Sequence, residues 1–232
     1  MIINVHAGHN PSGKVASGAA GYLIESVENR IVKDKVIELL RENGHTVYDC
    51  TEDNGTSQAD VLNKIIAKCN SHNVDIDVSI HFNAGAADRD NKTTGTEVYV
   101  YGLNAGATTY AQRVLDKISA LGFQNRGIKV NTSLAVLRRT KAPAMLVECC
   151  FVDDKDDAAL YDADKMARAI AGGIINADLT ATQKTYTVKH GDSLWKIAQE
   201  QLGNGARYKE IVNINNLTNN TIHPGDKLMI PN

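Results

Sequence analysis

Two histidines and two glutamates in this chain stand where a metal-assisted hydrolysis could be built. His9 follows a short apolar run at residues 1–6, His81 closes a strictly alternating run, and Glu148 lies in the apolar stretch Ala144-Met-Leu-Val-Glu. Open α/β sheets hold ligands beyond the C-terminal ends of their strands, so all three fall on one edge. Glu25, in the first turn of the helix that follows His9, can approach the same edge. Zinc suits such a set, because a catalytic zinc takes imidazole nitrogens and carboxylate oxygens as three protein ligands and leaves a fourth position to water. Two imidazoles and one carboxylate leave a net positive charge, which brings the pKa of bound water to about 7. A carboxylate off the metal then handles protons.

The inventory meets that demand without singling out the ligands, which are dispersed. His6 rivals His9 and is expected to point away at the strand end; Glu28 rivals Glu25 one helical turn on, with a solvated face as the plain alternative for both. Glu148 stands out most, since a carboxylate inside an apolar strand is costly unless paired or functional. His45, His72, His190 and His223 are read as surface residues.

These groups need a scaffold, and the periodicity supplies one. Residues 1–6 read as a buried strand broken by Gly8 and Gly13. In 23–42, Ile24, Val27, Ile31, Ile37 and Leu40 recur near helical spacing, with Gly44 as the cap. Residues 45–50 read as a strand, and Ser57 with Asp60 as a capping box opening a helix with Leu62, Ile65, Ile66 and Cys69. From Val74 to Phe82 apolar residues alternate with Asp75, Asp77, Ser79 and His81, the signature of a strand with two unlike faces. A strand at 96–101, a helix from about 105 to 121, two strands near 134–138 and 144–149, and a last helix within 155–176 complete the pattern. The expected fold class is α/β: a mostly parallel sheet flanked by helices, mixed where strand follows strand without a helix.

The chain has 232 residues, enough for one medium domain and one small one. The small polar run 177–185 reads as a linker, giving domains 1–176 and 186–232. A net charge of −2 offers no basic field for nucleic acid or anionic lipid, and no apolar run approaches the ~20 residues of a membrane span. Cys50, Cys69, Cys149 and Cys150 form no C-x-x-C pair and read as buried free thiols. Met1-Ile-Ile-Asn-Val has no basic segment before it and reads as a strand, not a secretory signal.

The first domain resembles the zinc-dependent N-acetylmuramoyl-L-alanine amidases of bacterial autolysins and phage endolysins. The resemblance rests on His-Ala-Gly-His-Asn at 6–10, Gly-Tyr-Leu-Ile-Glu at 21–25, Ser-Ile-His-Phe-Asn-Ala at 79–84, Gly-Thr-Glu-Val-Tyr at 95–99 and Pro-Ala-Met-Leu-Val-Glu-Cys-Cys-Phe-Val at 143–152. It implies that His9, Glu25 and His81 hold zinc, that Glu148 is the catalytic carboxylate, and that Asn83 lies at the substrate. Many members begin Asp-Pro-Gly-His where this chain has His6-Ala-Gly-His9, which leaves the role of His6 open. Many also follow the phenylalanine with Ser-Asn where Phe151 is followed here by Val152-Asp153, read as loop variation.

Residues 185–231 resemble a LysM module, through Tyr186-Thr-Val-Lys-His-Gly-Asp-Ser-Leu-Trp-Lys-Ile-Ala, Ile211-Val-Asn-Ile-Asn-Asn-Leu and Ile222-His-Pro-Gly-Asp-Lys-Leu-Met-Ile-Pro231. That implies a βααβ fold binding glycans that contain N-acetylglucosamine. Gly191, Asp192, Ser193, Asn215, Asn216 and Leu217 are the groove residues so implied, and Trp195 is assigned to the core. Asp192 or Ser193 is expected to cap the helix after it. Together the resemblances imply a peptidoglycan hydrolase that cuts the N-acetylmuramic acid–L-alanine amide. They fit a phage endolysin made in the cytoplasm, which acts on the wall after release by a holin-type or other route.

Overall fold

The computed structural model describes residues 1–85, 94–103, 106–179 and 184–231. The chain divides into two compact units, Met1–Thr180 and Ala181–Asn232.

In the first unit, strands β1 (Ile2–Ala7), β2 (Thr46–Asp49), β3 (Ile76–Asn83), β4 (Thr96–Val100), β5 (Asn125–Val130) and β6 (Ala144–Phe151) form one sheet in the order β2-β1-β3-β6-β4-β5. All neighbours pair in parallel except β4 and β6, which are antiparallel. The sheet is therefore mixed at one joint, between β4 and β6. Its helices are α1 (Glu25–Glu42), α2 (Gln58–Asn70), α3 (Thr108–Ser119), α4 (Ala135–Arg139), α5 (Lys155–Leu160) and α6 (Ala163–Ile175).

Strand parity gives the sheet two unlike faces. Ile3, Val5, Ile76, Val78, Met145 and Val147 join one buried cluster with Val32 and Val36 of α1 and Met166 and Ile170 of α6. On the other face Leu146 packs with Val61 and Ile65 of α2 and Val136 and Leu137 of α4. The polar members of the alternating strands, Asn4, His6, Asp77 and Ser79, are buried, in step with His81 and Glu148.

Several elements depart from the sequence expectation. Residues 135–139 form helix α4, not a strand, because a short apolar run fits either period and its neighbours decide. The strand in that part of the chain is β5, whose Asn-Arg-Gly-Ile-Lys-Val reads as polar because it is the outermost strand of the sheet. The expected last helix is two, α5 and α6, each capped by an aspartate: Asp154 accepts from the Asp156 and Asp157 amides, and Asp162 from that of Lys165. In α1 the apolar residues Ile24, Val27 and Ile31 are exposed. The buried stripe runs instead through Ser26, Asn29, Val32, Lys33, Val36 and Leu40. Gly44 does close this helix with φ +80°, and the His45 amide returns to the Leu40 carbonyl. All four cysteines are buried and unpaired.

The second unit pairs β7 (Lys184–Thr187) antiparallel with β8 (Lys227–Ile230), and carries α7 (Leu194–Leu202), a 3₁₀ turn at Gly205–Arg207 and α8 (Tyr208–Ile214). The strand begins at Lys184, inside the expected linker; residues 180–183 of that linker lie outside the described residues. Leu194, Ile197, Ala198, Ile211, Leu228 and Ile230 make its core. No described helix is long and apolar enough to cross a membrane.

Helices α3 and α6 meet at Gly173, where a Cβ would lie 2.6 Å from the Val114 Cα and 2.7 Å from its amide nitrogen. Gly173→Ala is expected to lower unfolding stability by about 1–3 kcal/mol, although alanine is the better helix former by about 1 kcal/mol. Urea unfolding measures this, and a stabilised variant would refute the close approach.

Candidate functional site

β1 ends at Ala7 and the chain turns at once. His9 sits at φ +65°, a left-handed backbone uncommon for a residue with a Cβ. Asn10 is buried and holds this loop by donating to the carbonyls of Val15 (2.8 Å) and Gly55 (2.7 Å). The loop returns to α1, which opens with Glu25. A carboxylate there is favoured by the exposed amides of a helix N-terminus.

Glu25 is the centre of the site. Its Oε1 lies 3.0 Å from Nδ1 of His81 and 3.3 Å from Nε2 of His9, and accepts from the Phe82 amide at 3.2 Å. Its Oε2 accepts from the Ala19 amide at 2.8 Å. Burial alone would raise this carboxyl, but the hydrogen bonds to His81 and His9 outweigh it and hold Glu25 well below the usual carboxylate range. Burial lowers His81, and its bond to Glu25 offsets that in part.

Among the described residues, His9, Glu25 and His81 are the one group of three or more His, Cys, Asp or Glu side chains close enough to hold a metal ion. Their donor atoms lie within 4.8 Å of one another. The donor chemistry, two imidazole nitrogens and one carboxylate, fits a divalent cation of the zinc class. The structure also separates the rivals. Glu28 accepts from the Tyr161 hydroxyl at 3.0 Å and takes no part in the cluster.

Glu148 pairs in register with His81 across β3 and β6. Its Oε2 is buried and has no hydrogen-bond partner. Burial, then the nearby charges of Glu25 and Glu97, push its carboxyl up to about 8. Glu97 faces it on the antiparallel β4, but there the carboxylate is fully engaged. It accepts from Arg126 (2.9 Å), Asn83 (2.8 Å) and the Tyr99 hydroxyl (2.8 Å). One buried carboxylate is thus satisfied, and its neighbour is left with an open oxygen.

A cavity of about 380 Å³ joins these groups, lined by His9, His81 and Glu148 at one end and by apolar residues of α2 and α4 at the other. His6 also lines it, which corrects the expectation that it points away. It shares the sheet face of Ser79, its register partner, and its Nδ1 lies 3.4 Å from the Ser79 hydroxyl. Burial, with His81 close by, lowers His6 to about 3, so it is a neutral imidazole at ordinary pH. Asn83 lies past a register shift in β3 and does not line the cavity. Both ends of its amide are engaged, with Glu97 and with the Ala84 amide at 2.9 Å.

Sequence reasoning missed the parts that give the ligands room. A Cβ at Gly8 would run into the His81 ring, and one at Gly18 into the Glu25 carboxylate and the His9 ring. Asn29 donates to the Gly8 carbonyl at 2.9 Å, and Arg30 to that of His9 at 2.9 Å, fixing the loop from α1. The one local signal was the glycine between two histidines.

In the second unit, Ser193 caps α7 by accepting from the Lys196 amide, while Asp192 accepts from the Tyr186 hydroxyl and the Lys189 amide, both at 2.8 Å. Asn215 ties α8 to β8 through three bonds, to the Ile211 carbonyl and to both backbone groups of Met229. Leu217 packs on the core, and Gly191 and Asn216 are exposed turn residues with positive φ. Of the six groove candidates, then, Asp192, Ser193 and Asn215 have their side chains engaged within the module. Trp195, expected in the core, is 56% exposed, with its indole against the Gly205 backbone, where a Cβ would collide with it. It stands on the outer face of α7, one residue from the buried Leu194.

Residues 3–177 match the family model described as N-acetylmuramoyl-L-alanine amidase, and residues 186–231 match the LysM domain. An uncharacterised Clostridium perfringens protein is 38% identical over 165 residues, 69% of this chain and 47% of its own length. The endolysin of Bacillus phage SPP1 is 31% identical over 183 residues, 74% of this chain and 62% of its own. The solved catalytic domain of CD27L, titled an endolysin targeting Clostridia Difficile, superposes with a TM-score of 0.68 at 27% identity. The match covers 77% of this chain and 99% of that one. The chain spans about half the length of the Clostridium perfringens relatives it matches, 47% and 51%.

If Gly8 exists to clear the His81 ring, Gly8→Ala is expected to weaken divalent-cation binding by about 10–100-fold while leaving the fold intact. Titration calorimetry beside far-UV circular dichroism checks this; an unchanged affinity would count against that role for Gly8.

Proposed function

The chain belongs to the N-acetylmuramoyl-L-alanine amidase family, and from that premise we propose that it hydrolyses the amide between N-acetylmuramic acid and the L-alanine of the peptidoglycan stem. The observation that carries the proposal is the buried, partnerless Oε2 of Glu148 beside the His9–Glu25–His81 cluster, with Glu148, His9 and His81 lining one cavity. These three residues would hold zinc. Zinc bound there supplies Lewis acidity, which polarises an amide carbonyl and makes water a nucleophile near neutral pH.

The chain's own groups do the rest. Glu25, anchored by the Ala19 and Phe82 amides, orients both imidazoles and contributes the negative charge of the ligand set. Glu148 takes the proton of the attacking water at its free Oε2 and returns it to the leaving amine nitrogen. Burial raises its affinity for a proton, so once ionised it is a stronger base than an ordinary surface carboxylate. The α2 and α4 wall keeps bulk water from one side of the reacting groups.

The LysM module is proposed to hold the enzyme on N-acetylglucosamine-containing glycan, which raises the substrate concentration seen by the catalytic unit into the millimolar range. Likeness to endolysins supports a lytic role for the chain on the bacterial wall.

Glu148→Gln is expected to keep stoichiometric zinc and to lose about 10²–10⁴ in turnover. Elemental analysis and mass spectrometry of digested walls measure both. New L-alanine amino termini support the amidase assignment, and any other new terminus refutes it. Removing residues 181–232 is expected to weaken co-sedimentation with purified walls and to spare cleavage of small soluble fragments. Equal sedimentation of the two forms would remove the anchoring role.

A further inference from the structure

The cavity beside Glu148 is chemically two-sided. Its sheet side carries the polar His6, His81 and Glu148 beside the apolar Leu146. Its helix side is formed by Val61, Leu62 and Ile65 of α2 and by Leu134, Ala135 and Val136 at α4. Two uncharged polar side chains stand on that side, Gln58 and Ser133. Among the described residues, neither the Gln58 amide nor the Ser133 hydroxyl has a hydrogen-bond partner, so both are available to a ligand.

Resting on the amidase assignment above, we propose that the α2–α4 wall is the subsite for the first residue of the stem peptide. It takes that residue's small aliphatic side chain and sets its size limit. Three arguments place the peptide here and the sugar outside. An amino sugar presents hydroxyls around its ring, and burying them against leucine, isoleucine and valine leaves them without hydrogen-bond partners, which is unfavourable. A volume of about 380 Å³ is near the small end of ligand sites and fits a compact peptide segment. Finally, Glu148 must face the leaving nitrogen, and Leu146, two residues back on the same strand face, continues from Glu148 directly into the apolar wall. The group attached to that nitrogen therefore lies along the wall. Gln58 and Ser133 are then placed to bond the next peptide group.

Leu62, Leu134 and Ala135 are only partly buried and form the adjustable lip, whereas Val61, Ile65 and Val136 belong to the core behind it. The test uses the full chain and synthetic N-acetylmuramoyl peptides whose first residue is glycine, L-alanine or L-leucine. The wild type is expected to favour L-alanine over both others in kcat/KM by about tenfold or more, the usual worth of a methyl-sized difference in an apolar pocket. Ala135→Leu is expected to shift preference towards glycine. Leu134→Ala is expected to raise L-leucine relative to L-alanine by about tenfold, with Leu62→Ala as a second enlarging variant should that one not fold. Circular dichroism and zinc content are checked on each. Preference ratios that stay the same across the folded variants overturn the subsite. A wild type that releases no first-residue amine from any of the three overturns the amidase assignment itself, a separate and distinguishable result.

Discussion

One carboxylate ties the first unit's chemistry to its fold. Glu25 begins α1, yet its oxygens reach the loop after β1, the end of β3 and the loop that leads into the helix itself. β1 and β3 already lie side by side in the sheet, and Glu25 brings the start of α1 to their C-terminal ends. A carboxylate this deeply buried is stable only if every lone pair is answered, and here two backbone amides and two imidazoles answer them. The geometry is therefore held from both sides: the helix N-terminus favours the charge, and the charge holds the two rings.

The remaining architecture follows from how the sheet divides its faces. The face covered by α1, α3 and α6 is apolar throughout and supplies the larger core. The face covered by α2 and α4 carries Asn4, His6, Asp77, Ser79, His81 and Glu148. Asn4 and Asp77 bond each other at the end away from the site. Towards the C-terminal ends of the strands a cavity lies between this face and the α2–α4 wall. Polar side chains in the middle of an otherwise well-packed domain mark where packing has been given up for chemistry.

The second unit solves a different problem. With a small core and one two-stranded sheet, it depends on side chains that lock its turns: Asp192 under Tyr186, Ser193 at the start of α7 and Asn215 between α8 and β8. These polar side chains lock the turns of the module, while the backbone at Gly191 and Asn216 is exposed.

Much of the site was legible in the sequence. The alternation through β3 placed His81 opposite the apolar face, and the lone carboxylate in β6 marked Glu148, because strand period and burial cost are local properties. The order of strands and helices was legible for the same reason, with failures where local signals are weak: β5 carries an edge strand's polar pattern, and α4 is too short to show its period. Trp195 and the outer face of α1 were misjudged because hydrophobic type does not say which side of a helix the rest of the chain will cover. Residue spacing left His6 beside His9 and Glu28 beside Glu25, and only motif resemblance chose between them; the tertiary structure brings His9, Glu25 and His81 together and shows that Gly8 and Gly18 clear the space between them. That convergence depends on strand register, on a left-handed turn at His9 and on a helix start brought to the sheet edge. All three are set by contacts between segments tens of residues apart, and residue spacing along a chain carries no record of them.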